Sequence, residues 1–322
     1  MKPKSIVSVA VAICTLAVAA SCWHITKPNP ASDFTYTIDG GSATITQYIG
    51  SRARVTIPAK IDGNMVTSVG DFAFAGFYGL INVTMPASVT NIGKGAFAWS
   101  STITNINVPD GVANIGDITF EGCENLRAIS IPNGVTSIGN RAFYGCKNLA
   151  KVTIPGSTTN IGDEVFGLCL RLTSITVAAS NNCYKDIDGV LFTKDGRELV
   201  CYPGGRAAVY TIPSGTISIR DGAFAQCRDL TDITISDSVT SIGYEAFSQC
   251  QSLTSIIMPC GIISIGYRAF YGCNNLVDIA VPDSVTSIGC EAFSCPNLTI
   301  TCSPNSFTYG YCTENGIGFK LT

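Results

Sequence analysis

A phenylalanine recurs at Phe74, Phe97, Phe120, Phe143 and Phe166, each 23 residues after the last. After one interval of 58 it resumes at Phe224, Phe247, Phe270 and Phe293 with the same 23-residue step. A fixed period in this range specifies an array of like units, and that decides the fold before any single segment is read. Other columns hold the same phase. Five residues before each Phe stand Val69, Ile92, Ile115, Ile138, Ile161, Ile219, Ile242, Ile265 and Ile288. The next position is Gly in eight of the nine units, with Arg220 as the exception. Cysteine follows the Phe by three in six units: Cys123, Cys146, Cys169, Cys227, Cys250 and Cys273. Leu or Ile follows by six, from Leu80 to Leu276, and in the last unit Leu298 arrives one residue early.

Spacing gives the physics of one unit. The run L-x-x-I-x-I-P alternates apolar and polar residues, so it reads as a short strand with one buried face. Proline closes it, because proline cannot donate to a ladder. The piece V-T-S-I-G is a second short extended segment ended by glycine. The following x-x-A-F-x-G-C reads as a compact turn or a single helical turn, with Phe filling the centre. One such coil cannot bury its apolar side alone, so stability must come from stacking on its neighbours in a quasi-one-dimensional solenoid.

The unit LxxIxIPxxVTSIGxxAFxGCxx resembles the BspA-type (treponemal) leucine-rich repeat. The resemblance covers about residues 34 to 319. It implies a right-handed, β-rich leucine-rich-repeat solenoid with capped ends, of a kind found largely on bacterial and some protozoan surfaces. Residues 34–58 carry a hairpin around Asp39-Gly40-Gly41 and resemble the family's N-terminal cap. Repeat blocks over 59–177 and 213–301 then flank an insertion at 178–212. In the insertion two alternating runs flank Lys194-Asp195-Gly196, and the reading is a β-hairpin protruding from the stack. Residues 302–322 read as a C-terminal cap, a short helix ended by Asn315-Gly316 and then a last strand.

The beginning of the chain reads as an export signal, with Lys2 and Lys4 ahead of an apolar run from Ile6 to Ala20. Residues 1–21 are assigned to it. Ala19-Ala20-Ser21 before Cys22 resembles a relaxed bacterial lipobox, which implies lipidation at Cys22; Ala19 departs from the usual branched residue. Ordinary cleavage after Ala17-Val18-Ala19 is the alternative. The Pro-rich residues 22–33 then serve as a tether. The expectation is an exported protein, at the cell surface or as an outer-membrane lipoprotein, otherwise secreted or periplasmic.

Composition removes several function classes. Charged residues are 13% of the chain, and 20 Lys+Arg against 23 Asp+Glu leave no basic excess for nucleic acid. His24 is the sole histidine, which disfavours His-based catalysis and zinc sites. No G-x-S-x-G, G-x-x-x-x-G-K-[ST] or H-E-x-x-H occurs, so neither an enzyme nor a cofactor or metal site is expected. Of the 15 cysteines, the six in the column point one way into the core and are expected to be free buried thiols. Cys302 and Cys312 are the best-placed pair for a disulfide, with Cys183 and Cys201 next.

What remains is surface. The outward column of the first strand reads Asn82, Asn105, Ala128, Lys151, Ser174, Asp232, Ser255 and Asp278. Two residues on, its neighbour reads Thr84, Asn107, Ser130, Thr153, Thr176, Thr234, Ile257 and Ala280. A flat, weakly charged, extended face of this kind suits a macromolecular partner. The resemblance implies adhesion to another protein, either a host extracellular-matrix component or another cell-surface component. Glycan binding, with Tyr144 and Tyr271 as stacking platforms, and a structural envelope role are the alternatives.

Overall fold

Two short extended segments per unit, joined by tight turns and forming strands in nearly all units, close each coil of a β-solenoid in the computed structural model, which describes residues 27–322. The first strands include Asn82–Thr84, Lys151–Ile154, Ser174–Val177, Asp232–Thr234 and Asp278–Ala280. The second strands are two residues each, such as Ser137–Ile138 and Ser241–Ile242, and pair in parallel with the same residues one coil away. The x-x-A-F-x-G segment is turn rather than helix. Its backbone is left-handed two residues before the Phe in all nine units, from Phe72 (φ 53°) to Glu291 (φ 56°). A second left-handed residue, such as Trp99 (φ 58°) or Gly145 (φ 71°), follows two after the Phe in most units. Two such residues so close together forbid the run of negative φ that a helix requires.

The nine phenylalanines are buried and stacked face to face. Centroid separations run 5.2, 5.6, 5.3 and 5.5 Å from Phe74 to Phe166, and 4.8, 5.1 and 5.3 Å from Phe224 to Phe293. Tyrosines from outside the repeats close the runs: Tyr48 stacks on Phe74 at 5.4 Å, Tyr202 on Phe224 at 5.0 Å, and Tyr311 meets Phe293 edge-on. Beside this ladder stands a thiol ladder. Cys123, Cys146 and Cys169 donate to the carbonyls of Phe97, Phe120 and Phe143 at 3.2, 3.3 and 3.2 Å, each one coil back. Cys250 and Cys273 do the same toward Phe224 and Phe247, both at 3.1 Å. Ser100 fills the column in the second unit and donates to Phe74 O at 2.6 Å. All six cysteines of the column are free and buried, and the five above each add a thiol bond to a Phe carbonyl that already accepts a backbone N–H.

The insertion does not protrude. It is a three-stranded meander, Tyr184–Ile187, Val190–Thr193 and Glu198–Cys201, lying across the stack as a partition. Leu191, Val200 and Cys201 face the first core, while Val190, Phe192, Leu199 and Tyr202 face the second. Strands covered on both faces read as continuous apolar runs rather than alternating ones. The strand Glu198–Cys201 takes over the place of a coil, pairing Leu199 with Ile219 in parallel. Arg220 is explained by the same interruption. In ordinary coils the Gly N–H donates to the preceding Ile carbonyl, as Gly162 does to Ile138 O at 2.8 Å. At the partition Arg220 N–H turns to Leu199 O, and its Nη1 reaches the vacated Ile161 O at 3.1 Å. The guanidinium also pairs with Glu198.

The caps follow the expected pattern. Phe34–Asp39 and Ser42–Tyr48 form a hairpin about Gly40 and Gly41, whose positive φ (54° and 82°) supplies the turn that two antiparallel strands need. The helix Phe307–Asn315 is capped by the Ser306 side chain and ended by left-handed Gly316, then the strand Gly318–Leu321 pairs in parallel with Thr299–Cys302. Two expectations are corrected. The tether assigned to 22–33 is packed from Asn29 onward: Asn29 is buried, its N–H donates to Thr56 O, and its side chain accepts from Thr56 N and donates to Asp33. Cys302 and Cys312 carry free thiols, buried between the last strands and the helix, as do Cys183 and Cys201 in the insertion. The export signal and Cys22 lie outside the described residues.

Candidate interaction face

The first strands bring the two outward columns into register, in four short parallel sheets rather than one. Arg54, Asn82 and Asn105 stand side by side, with Thr56 beside Thr84. Lys151 pairs with Ser174, and Thr153 with Thr176. Val209, Asp232 and Ser255 follow, with Thr211, Thr234 and Ile257 next to them. Asp278 and Ala280 lead into Thr299 and Thr301. Ala128 and Ser130 lie in a unit whose first segment forms no strand, and this is where the face breaks.

The residues differ in what they leave free. Asn105, Lys151, Thr153 and Thr176 are exposed and make no side-chain hydrogen bond or ion pair within the described residues. Asn107 is committed to the fold: Met85 N–H donates to its Oδ1 at 2.9 Å, and its Nδ2 donates back to Met85 O at 3.2 Å. It prolongs the strand pairing where the backbone has turned away. Thr84 donates to Asn82 at 3.3 Å, and Asp232, half-buried with Thr234, accepts from Thr231 at 2.6 Å. Asp278 pairs with Lys320 at 3.3 Å on the exposed surface, a contact of small energetic weight. Toward the second block the face gains apolar area, with Val209 and Ile257 both more than 60% exposed.

A second surface, at the turn edge, was not legible in the sequence. The left-handed residues before each Phe project their side chains outward in a column, where Arg141 contacts Glu121 at 3.1 Å and Glu164 at 3.7 Å. Arg268 meets Glu291 at 2.6 Å. The guanidinium of Arg141 lies 4.1 Å over the Tyr144 ring, and that of Arg268 lies 4.9 Å over both Tyr267 and Tyr271. Tyr144 and Tyr271 thus have a ring face covered by a cation and are not open sugar platforms. Gly222, lacking a side chain, lets Glu164 lie across it toward Glu245. Burial raises the Glu164 carboxyl above its ordinary value near 4.5; Arg141 opposes this, and Glu245 adds to it. A carboxyl raised in the folded state favours folding when protonated, so this contribution is full below about 4.5 and is lost as pH rises through the raised value. Glu164→Gln is therefore expected to reduce the gain in urea midpoint on acidification from about pH 7 to 5. An unchanged pH profile would refute the coupling.

Among the described residues no group of three or more His, Cys, Asp or Glu is placed to hold a metal ion, and no helix is long and apolar enough to cross a membrane. The sequence matches the BspA type leucine-rich repeat region, in six copies, over residues 64–193 and 210–312. The chain belongs to the BspA-type leucine-rich repeat family. No curated protein is significantly similar to it. Among solved structures, a leucine-rich cell surface protein of Faecalibacterium prausnitzii A2-165 is 27% identical, with 92% of this chain and 95% of that one covered and a TM-score of 0.63. The pneumococcal vaccine antigen PcpA is 24% identical over 85% of this chain and 81% of its own, with a TM-score of 0.70. The latter likeness is one of fold. This BspA-type chain thus shares the solenoid, its partitioned core being the feature described above.

Proposed function

We propose that this BspA-type protein is exported, is anchored through a lipid on Cys22 after removal of residues 1–21, and binds another protein through the strand face. Residues 22–28 would serve as the spacer, with the packed solenoid beginning near Asn29. The observation that carries the reading is the register of Asn105, Lys151, Thr153 and Thr176: exposed, uncommitted polar side chains held on rigid parallel strands. A preformed strand backbone leaves only the side chains to be ordered on binding. The F. prausnitzii relative is a cell surface protein, which supports export. The partner is an extracellular-matrix component or another cell-surface protein, and the role is adhesive and non-catalytic.

The test is saturable binding of the purified protein to a panel of extracellular-matrix and bacterial-surface proteins, repeated with Asn105→Lys, Lys151→Glu and Thr176→Lys combined. Binding weakened about ten-fold or more by the triple variant, at unchanged melting temperature, is the expected result. Binding left intact by the variant would move the site off this face, to the turn edge. Absence of binding across the panel, with a polysaccharide shifting the melting temperature instead, would replace adhesion with glycan recognition.

A further inference from the structure

The thiol ladder ends in an irregular step. In six units the cysteine follows the Phe by three, but the shortened last unit brings Cys295 two residues after Phe293. Cys295 still donates to the carbonyl one coil back, Phe270 O at 3.0 Å, while Cys273 donates to Phe247 O at 3.1 Å. The two thiols therefore stand on successive rungs, close enough to perturb each other's ionisation. They differ in access. Cys273 is fully buried, whereas Cys295 is only partly covered and lines a cavity of about 280 Å³ with Glu291, Tyr311, Asn315 and Ile317. The remaining cysteines of the column are buried, and so are Cys302 and Cys312, so none of these has a comparable mouth.

We propose that Cys273 and Cys295 form a redox pair, converted to an intramolecular disulfide by low-molecular-weight disulfides that enter the C-terminal cavity. The neighbouring Cys273 thiol holds the Cys295 thiol below its ordinary range, while Cys295 and burial push Cys273 up. Cys295 is accordingly the attacking thiolate and Cys273 the resolving thiol. In the first step the Cys295 sulfur attacks one sulfur of the disulfide R–S–S–R. This forms Cys295–S–S–R and expels one thiolate, R–S⁻, which takes up a proton. In the second step the Cys273 sulfur attacks Cys295 Sγ and expels the second R–S⁻, which takes up the Cys273 proton. Two protein thiols are oxidised to one disulfide, and one small disulfide is reduced to two thiols. The bond ties the shortened last coil to the complete one before it, at the end of an array whose terminal units open first.

The experiment uses the reduced full chain with glutathione disulfide, quenched by alkylation and followed by mass spectrometry of a non-reduced digest. The expected product is a Cys273–Cys295 linked peptide pair. Cys273→Ser is expected to stall the reaction as a stable glutathione adduct on Cys295, and Cys295→Ser to leave Cys273 reduced. Both variants should keep the fold, since Ser100 already makes the same carbonyl bond in the second unit. A glutathione adduct on Cys295 that persists in the unmodified chain, an unreacted Cys295, or a link from Cys295 to Cys290 would overturn the proposal.

Discussion

Phe143→Ala is expected to destabilise the first repeat block by about 3–5 kcal/mol, the range for truncating a fully buried phenylalanine. Phe143 has no exposed surface and lies between two parallel neighbours, Phe120 at 5.3 Å and Phe166 at 5.5 Å. Its loss leaves a cavity that collapse cannot fill, because the flanking coils are held at strand spacing by the pairings Ser137↔Asn114 and Ser137↔Asn160. In a nearest-neighbour array the damage falls on two interfaces and decays away from them. The partition should confine it further, since the two cores meet only across the meander. Urea unfolding combined with hydrogen exchange reads both effects. Amides of residues 74–166 should lose protection well before those of 224–293. Equal loss in both blocks, or a change below about 1 kcal/mol, would show that the ladder is not the unit of stability.

The repeat columns were legible because nine copies carry the same phase, and each column corresponds to one contact made once per coil. The Phe, Ile, Leu and Cys columns land in the core as spacing predicts, with Ile288 at the end of the array only partly buried. Residues contributed from outside the period were not legible in this way. Tyr48, Tyr202 and Tyr311 complete the aromatic stack, yet none sits in a repeat column. The insertion was misjudged as a protrusion although Val190-Leu191-Phe192 and Leu199-Val200-Cys201-Tyr202 contain no polar residue, the mark of a strand buried on both faces. The left-handed turn position was invisible because its occupants are mostly Arg, Glu, Ile and Phe, with glycine only at Gly95 and Gly222. On the candidate face the columns point outward, with Asn82, Asp232 and Thr234 half-buried. Sequence pattern alone could not reveal that Asn107 spends its amide on the Met85 backbone, because an exposed asparagine and a committed one look alike in a column.

Arg220→Gly should have opposite signs in two backgrounds. In the intact chain it removes the bond to Ile161 O and the pair with Glu198, and is expected to cost about 1.5–3 kcal/mol. Excising residues 178–212 changes the situation. The junction Leu172-Thr173-Ser174-Ile175-Thr176-Val177-Pro213 restores the repeat column by column and brings Phe166 and Phe224 to the 23-residue spacing. An uninterrupted array now needs glycine at position 220, because that column packs on the backbone of the preceding coil. A Cβ on Gly139 would lie 2.5 Å from Asp117 N, and one on Gly162 would lie 2.5 Å from Asn140 N. The arginine would be overpacked by about 1–3 kcal/mol and would also lose its Glu198 partner. The excised chain should therefore gain roughly 3 kcal/mol from Arg220→Gly, with the two urea series forming a cycle whose coupling exceeds either single effect. The same sign in both backgrounds would mean that Arg220 does not mark the interruption. A sign reversal would show that Arg220 serves the interruption itself, filling the rung that the partition removes.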